Sequence, residues 1–144
     1  MAMKQYHTSV TINASVEVVW KHLTDFTSYP YWNPLVGKLE GEMKKGSTIS
    51  TFIVPLGKTY HPILLVYKPK KEFVWLGTQG AKFLLAGKHY YRLEKISDTE
   101  TKVLHGEWFT GLLSWFIPKS LLQKMENTFV EHNNILKQRI ENEA

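Results

Sequence analysis

Residues 14–34, ASVEVVWKHLTDFTSYPYWNP, constrain this chain most, because a short amphipathic helix runs straight into an aromatic turn. Ser15 offers an N-cap hydroxyl, Glu17 falls in the first turn, and Val16, Val19, Trp20 and Leu23 recur at helical spacing. The helix is expected to end near Asp25. Tyr29-Pro30 and Asn33-Pro34 then push the residue before each proline toward extended or turn geometry, so 26–34 reads as a compact elbow rather than more helix. The rings carried by such an elbow need a large surface to pack on.

The flanking patterns supply that surface. Tyr6, Thr8, Val10 and Ile12 alternate with Gln5, His7, Ser9 and Thr11, which predicts a first strand over residues 4–12. Between 35 and 110, five or six β segments are separated by turn signals at Lys44-Lys45-Gly46, Pro55-Leu56-Gly57, Pro69-Lys70-Lys71, Thr78-Gln79-Gly80 and Ser97-Asp98, a spacing that suits antiparallel hairpins. Ile63, Leu65 and Tyr67 alternate with Leu64 and Val66, so that strand is apolar on both faces and is expected at the centre of the sheet. After Pro118, Leu122, Met125, Phe129, His132, Leu136 and Ile140 follow i, i+3, i+4 and i+7 spacing, one long amphipathic helix. The order predicts an α+β fold, a single domain over 1–144, whose last helix buries its stripe against an antiparallel sheet.

Composition removes several function classes. No cysteine is present, which excludes disulfides, thiolate nucleophiles and Cys-rich zinc sites. The net charge of +5 comes from Lys38, Lys44, Lys45, Lys58, Lys68, Lys70 and Lys71 against Glu40 and Glu42; with no arginine or stacking aromatic among them, they read as solvated hairpin ends rather than a nucleic-acid surface. No run approaches the ~18 apolar residues of a membrane span, and Met1 to Tyr6 lacks a secretory block, so a cytoplasmic protein without stable membrane insertion is expected. Phosphate loops, dinucleotide fingerprints and a G-x-S-x-G elbow are absent, and no cofactor is expected.

A set of short marks recurs in order along nearly the whole chain: Ile12-x-Ala14, Val18-Val19-Trp20, Leu23-Thr24-Asp25-Phe26, Tyr29-x-x-Trp32-Asn33-Pro34, Val74-Trp75, Gly87-x-His89-Tyr90-Tyr91-x-Leu93, Thr101, His105-x-Glu107-x-Phe109-x-Gly111, and the tail from Leu136 to Glu141. In these the chain resembles the START-like or Bet v 1-like (SRPBCC) superfamily, and within it the bacterial polyketide cyclase/dehydrase-like group. The resemblance implies a helix-grip fold, a curved antiparallel sheet wrapped around the long C-terminal helix with a short helical elbow after strand one. It implies no single activity, since the superfamily includes lipid carriers, hormone receptors and aromatic cyclases, and it brings no shared catalytic set.

The candidate site comes from strand parity. His89, Tyr91 and Leu93 share one face, as do Val103, His105, Glu107 and Phe109, and the apolar members point both faces inward. Two imidazoles and a carboxylate in an apolar interior read as an internal hydrogen-bond cluster, as a polar anchor for a ligand, or as an acid/base set of His105, Glu107 and His89. The same trio matches the ligands of some zinc and iron sites, but no tight helical His pair accompanies it and no metal is expected. Trp32, Asn33, Phe52, Trp75, Met125 and Phe129 are expected to line the cavity with them. The apolar segment 111–118 reads first as a plug packed on the sheet end, then as a mobile rim, with a membrane-touching patch and a dimer contact as the other readings.

Three functions fit these residues. One is a binder of a small hydrophobic or amphipathic ligand, lipid, aromatic or polyketide-like, acting as a monomer or weak homodimer. Another is a cyclase/dehydrase-type enzyme in which His105 or Glu107 moves a proton. The last is a client-binding or stress-related module using the outer sheet.

Overall fold

A computed structural model describes residues 4–78 and 84–143. Strand β1 (Lys4–Ile12) leads into helix α1 (Val16–Leu23), a 3-10 turn (Phe26–Ser28) and a single helical turn α2 (Tyr29–Trp32). Strands β2 (Val36–Glu40), β3 (Ser50–Ile53), β4 (Lys58–Tyr60), β5 (Ile63–Lys68), β6 (Glu72–Thr78), β7 (Ala86–Ser97) and β8 (Glu100–Thr110) follow, and helix α3 (Lys119–Glu143) closes the chain.

Helix α1 begins as its sequence dictates. Ser15 Oγ accepts from the Val18 amide at 3.3 Å, and Glu17 in the first turn and Lys21 in the last complement the helix dipole. Val19, Trp20 and Leu23 are buried. The elbow departs from expectation by including α2. Pro30 lies in the first turn of α2, where its missing N–H removes no helical hydrogen bond. Asn33 then ends the turn, its Oδ1 accepting from the amides of Leu35 at 2.9 Å and Val36 at 2.8 Å. The Tyr29 hydroxyl donates to the Leu23 carbonyl and ties the elbow to α1.

The strands form two antiparallel sheets, one ordered β1-β8-β7-β6-β5 and a smaller one ordered β2-β3-β4. Between residues 35 and 110 there are seven described strands rather than five or six, because β2, β3 and β4 make their own short sheet. Strand β5 lies at an edge, not at the centre. Leu64 is fully buried in the core while Ile63 is 44% exposed, and the backbone of residues 46–49 takes up edge groups of and beside β5, with Gly46 N donating to Leu64 O, Leu64 N to Ser47 O and Ile49 N to Pro62 O at 2.7–2.9 Å. The Pro69-Lys70-Lys71 and Ser97-Asp98 signals do mark the β5–β6 and β7–β8 turns. The signal at Thr78-Gln79-Gly80 falls, beyond Thr78, outside the described residues.

Helix α3 carries the stripe Met125, Phe129, His132, Asn133, Leu136 and Ile140 into the concave face of the larger sheet, the helix-grip layout. Its far end is pinned to β1 and the residue after it: Lys137 Nζ donates to Thr11 O at 2.7 Å, and the Asn13 amide to Glu141 at 2.9 Å. Residues 111–118 are not a plug. They form a 3-10 turn (Leu112–Phe116) in which Leu112, Trp115 and Phe116 are 66, 53 and 79% exposed. Gly111 makes that exit possible, since its φ of 99° and the nearby Leu84 carbonyl exclude a side chain. Among the described residues no helix is long and apolar enough to cross a membrane.

Candidate functional site

The register of β7 on β8 builds the site. Gly87 pairs with Phe109, His89 with Glu107 and Tyr91 with His105, so alternate residues of both strands face α3. Between this face, the small sheet and the start of α3 lies a cavity of about 350 Å³. That is within the size of small-molecule sites, roughly 300–1,000 Å³. Trp75, His89, Glu107 and Phe109 form its sheet wall, Thr51, Ile53 and Tyr60 come from the small sheet, and Ile117, Leu121, Leu122 and Met125 close it from the helix side.

Trp75, His89, Glu107, Phe109 and Met125 of the expected set thus reach the cavity wall. The others lie elsewhere. Phe52 is on the opposite face of β3 from Thr51 and Ile53, both of which line the cavity. His105 is fully buried behind the wall, sandwiched between the Tyr91 ring at 4.0 Å and the Phe129 ring at 4.2 Å, near-parallel to both. Tyr91 and Phe129 are themselves fully buried. Trp32 packs on the His132 ring at 5.2 Å, with the Arg139 guanidinium over the Trp32 ring at 5.5 Å. Asn33 holds the end of α2, and its Nδ2 is buried without a hydrogen-bond partner; it still acts on the nearby Tyr91 hydroxyl, opposing part of the rise in pKa that burial causes there.

Behind the wall runs a polar network that sequence reasoning only half found. His89 Nε2 lies 2.8 Å from His105 Nε2, and His105 Nδ1 lies 2.9 Å from Asn133 Oδ1. The same oxygen is 3.1 Å from His132 Nδ1, while His132 Nε2 meets the Tyr91 hydroxyl at 3.2 Å. Asn133 Nδ2 donates to Thr8 Oγ1 at 2.8 Å, and Thr8 donates to the His105 carbonyl at 2.6 Å. Asn133, His132 and Thr8 were absent from the expected site. The available signal was a pair of adjacent polar residues, His132-Asn133, on the apolar stripe of α3. Burial holds all three imidazoles neutral: it drives His89 and His105 well below the usual imidazole range, helped by neighbouring rings, and His132 down to about 4.

Glu107 is the contrasting group. Its Oε1 accepts from the Tyr6 hydroxyl at 2.7 Å, yet burial outweighs that bond and pushes the carboxyl up to about 7. Gly87 leaves it room, since a Cβ there would sit 3.0 Å from Oε2 and 3.1 Å from the Phe109 ring. A carboxyl that titrates near neutrality and an imidazole therefore stand side by side on an otherwise largely apolar wall. Such a pair can orient a polar group or exchange a proton with it.

The family profile described as "Polyketide cyclase / dehydrase and lipid transport" matches residues 3–141. None of the curated proteins matches the sequence. Among solved structures, the fold is similar to that of the Zhui aromatase/cyclase from Streptomyces sp. R1128, at 18% identity and a TM-score of 0.72, covering 98% of this chain and 95% of that one. It is similar to a START superfamily protein from Mycobacterium smegmatis, at 17% identity and a TM-score of 0.73, covering 99% and 100%. Ara h 8.0201 aligns over 98% of this chain and 99% of its own, at 14% identity and a TM-score of 0.70. At these identities the likeness concerns the fold.

Proposed function

This chain belongs to the polyketide cyclase/dehydrase and lipid-transport family, and from that premise we propose that it binds a small hydrophobic or amphipathic molecule in the cavity between sheet and α3. The observation that supports the reading is the cavity itself: about 350 Å³, bounded by Trp75, Ile53, Leu122 and Met125, with His89 and Glu107 together at one side. Apolar walls supply affinity, and two convergent polar groups supply orientation. Neither role requires turnover. Saturable one-to-one uptake of naphthalene, measured by calorimetry, tests this reading against a Met125→Trp variant that fills the space. Wild type takes up the probe and the variant does not; equal uptake by both proteins places binding outside the cavity and refutes the reading.

The proximity of Glu107 to His89 favours a second reading, a cyclase/dehydrase-type enzyme. Any proton transfer then falls to Glu107 and His89, since His105 is sealed behind Tyr91 and Phe129. Glu107→Gln separates the two: it abolishes turnover in an enzyme and leaves apolar binding intact in a carrier.

A further inference from the structure

The hydrogen bonds behind the cavity wall fix every proton in the network, starting from one backbone carbonyl. The His105 carbonyl can only accept, so the Thr8 hydroxyl, 2.6 Å away, directs its proton there. Thr8 Oγ1 is left as an acceptor toward Asn133, so the amide must present Nδ2 to it and turn Oδ1 toward the imidazoles. That oxygen can only accept, which places a proton on Nδ1 of both His105 and His132. A neutral imidazole carries one proton, so Nε2 of each ring is bare. His132 Nε2 accepts from the Tyr91 hydroxyl, and His105 Nε2 accepts from His89 Nε2.

His89 has thus committed its single proton inward, and its Nδ1 is a bare lone pair. That atom makes no hydrogen bond among the described residues. It is not sealed either, because Asn33 Nδ2 is the one sealed, unpartnered side-chain nitrogen or oxygen among them. His89 lines the cavity, so the lone pair opens onto it. The adjacent Glu107 has its Oε1 occupied by Tyr6 and its Oε2 beside Gly87. None of the described residues lining the cavity is a lysine or arginine.

We infer that the cavity selects a neutral ligand that carries a hydroxyl, a phenol, enol or alcohol, which donates to His89 Nδ1, and that it rejects ligands ending in a carboxylate. This rests on the binding function proposed above and names its ligand class. A hydroxyl supplies the one proton the site lacks. A carboxylate brings negative charge to a lone pair and a carboxyl with no cation among the described wall residues, an unfavourable desolvation.

The test compares three probes of one ring system by calorimetry: 2-naphthol, 2-methoxynaphthalene and 2-naphthoate. 2-Naphthol binds about tenfold tighter than its methyl ether, the order expected when a buried acceptor is left without a donor, and 2-naphthoate shows no saturable binding. In His89→Phe the first two probes bind equally. A second readout needs no variant: in ¹⁵N NMR of the wild-type chain, His89 Nδ1 resonates as an unprotonated nitrogen and shifts upfield with 2-naphthol but not with 2-methoxynaphthalene. Equal affinity for naphthol and its ether in wild type, tightest binding of naphthoate, or a proton on His89 Nδ1 overturns the inference while leaving the binding function standing. Failure of all three probes to bind overturns both.

Discussion

Replacing Glu107 with glutamine should make this protein more stable at alkaline pH and leave it nearly unchanged in acid. Glutamine reproduces the shape of the protonated carboxyl and keeps the acceptor for Tyr6, which donates to Oε1 at 2.7 Å. The native carboxyl is pushed from 4.5 up to about 7 by burial. The folded state therefore holds its proton more tightly than the unfolded chain does. Stability from that proton is complete below the unfolded value of about 4.5 and is lost as pH rises through the folded value of about 7. At 1.36 kcal/mol per unit, the ionised carboxyl costs the fold about 3 kcal/mol above pH 7. This is an upper figure, because Glu107 is half-buried by exposure and cavity water can solvate it. Urea denaturation followed by tryptophan fluorescence measures the effect. With a slope of ~1–3 kcal/mol per molar urea, Glu107→Gln raises the midpoint by at most roughly 1–3 M at pH 8 and shifts it little at pH 4.5. Taking the difference between the two proteins at each pH cancels the histidine contributions. A difference that stays flat from pH 4.5 to 8, or a variant less stable than wild type at pH 8, refutes the burial argument.

The histidines give the opposite slope. His132 is held at about 4 by burial, below its ordinary 6.5, so its contribution is complete above pH 6.5 and is lost as pH falls toward 4, by about 3 kcal/mol, with His89 and His105 acting in the same direction. Urea titrations of Glu107→Gln show that decline, and a flat profile from pH 6.5 to 4 contradicts it. Phe129→Ala should cost ~4 kcal/mol by thermal or urea denaturation, because the ring is fully buried and covers His105 at 4.2 Å; a loss under ~1 kcal/mol contradicts the sandwich. Gly106→Ala should cost on the order of 2 kcal/mol, since the new Cβ meets the Tyr6 carbonyl oxygen at 2.6 Å and the Tyr90 hydroxyl at 2.7 Å. A neutral result there shows that β1 and β8 are free to separate.

Local periodicity carried most of the fold. The alternation from Tyr6 to Ile12, the cap at Ser15 and the stripe from Met125 to Ile140 each reflect a period that the backbone itself imposes, and the structure has those elements at those places. Strand order is not periodic. β5 reads as central because both faces are apolar, yet whether a strand has one neighbour or two depends on long-range pairing, here with the 46–49 backbone. The inward turn of His89, His105 and Glu107 was legible from parity; their depths were not. His105 is sealed and His89 opens on the cavity because α3 lays Phe129 over one ring and leaves the other at the wall, a matter of helix register against the sheet. Phe52 misled because apolarity was weighed above parity: β3 turns Thr51 and Ile53 inward and Phe52 away.

The most direct test of a ligand cavity with a lone pair at its pole is a crystal structure of the chain soaked with 6-bromo-2-naphthol. The account predicts an anomalous bromine peak in the space bounded by Ile53, Leu122 and Met125, with the hydroxyl oxygen within hydrogen-bond distance of His89 Nδ1. A bromine peak only on the outer surface, or side chains filling that space, contradicts it.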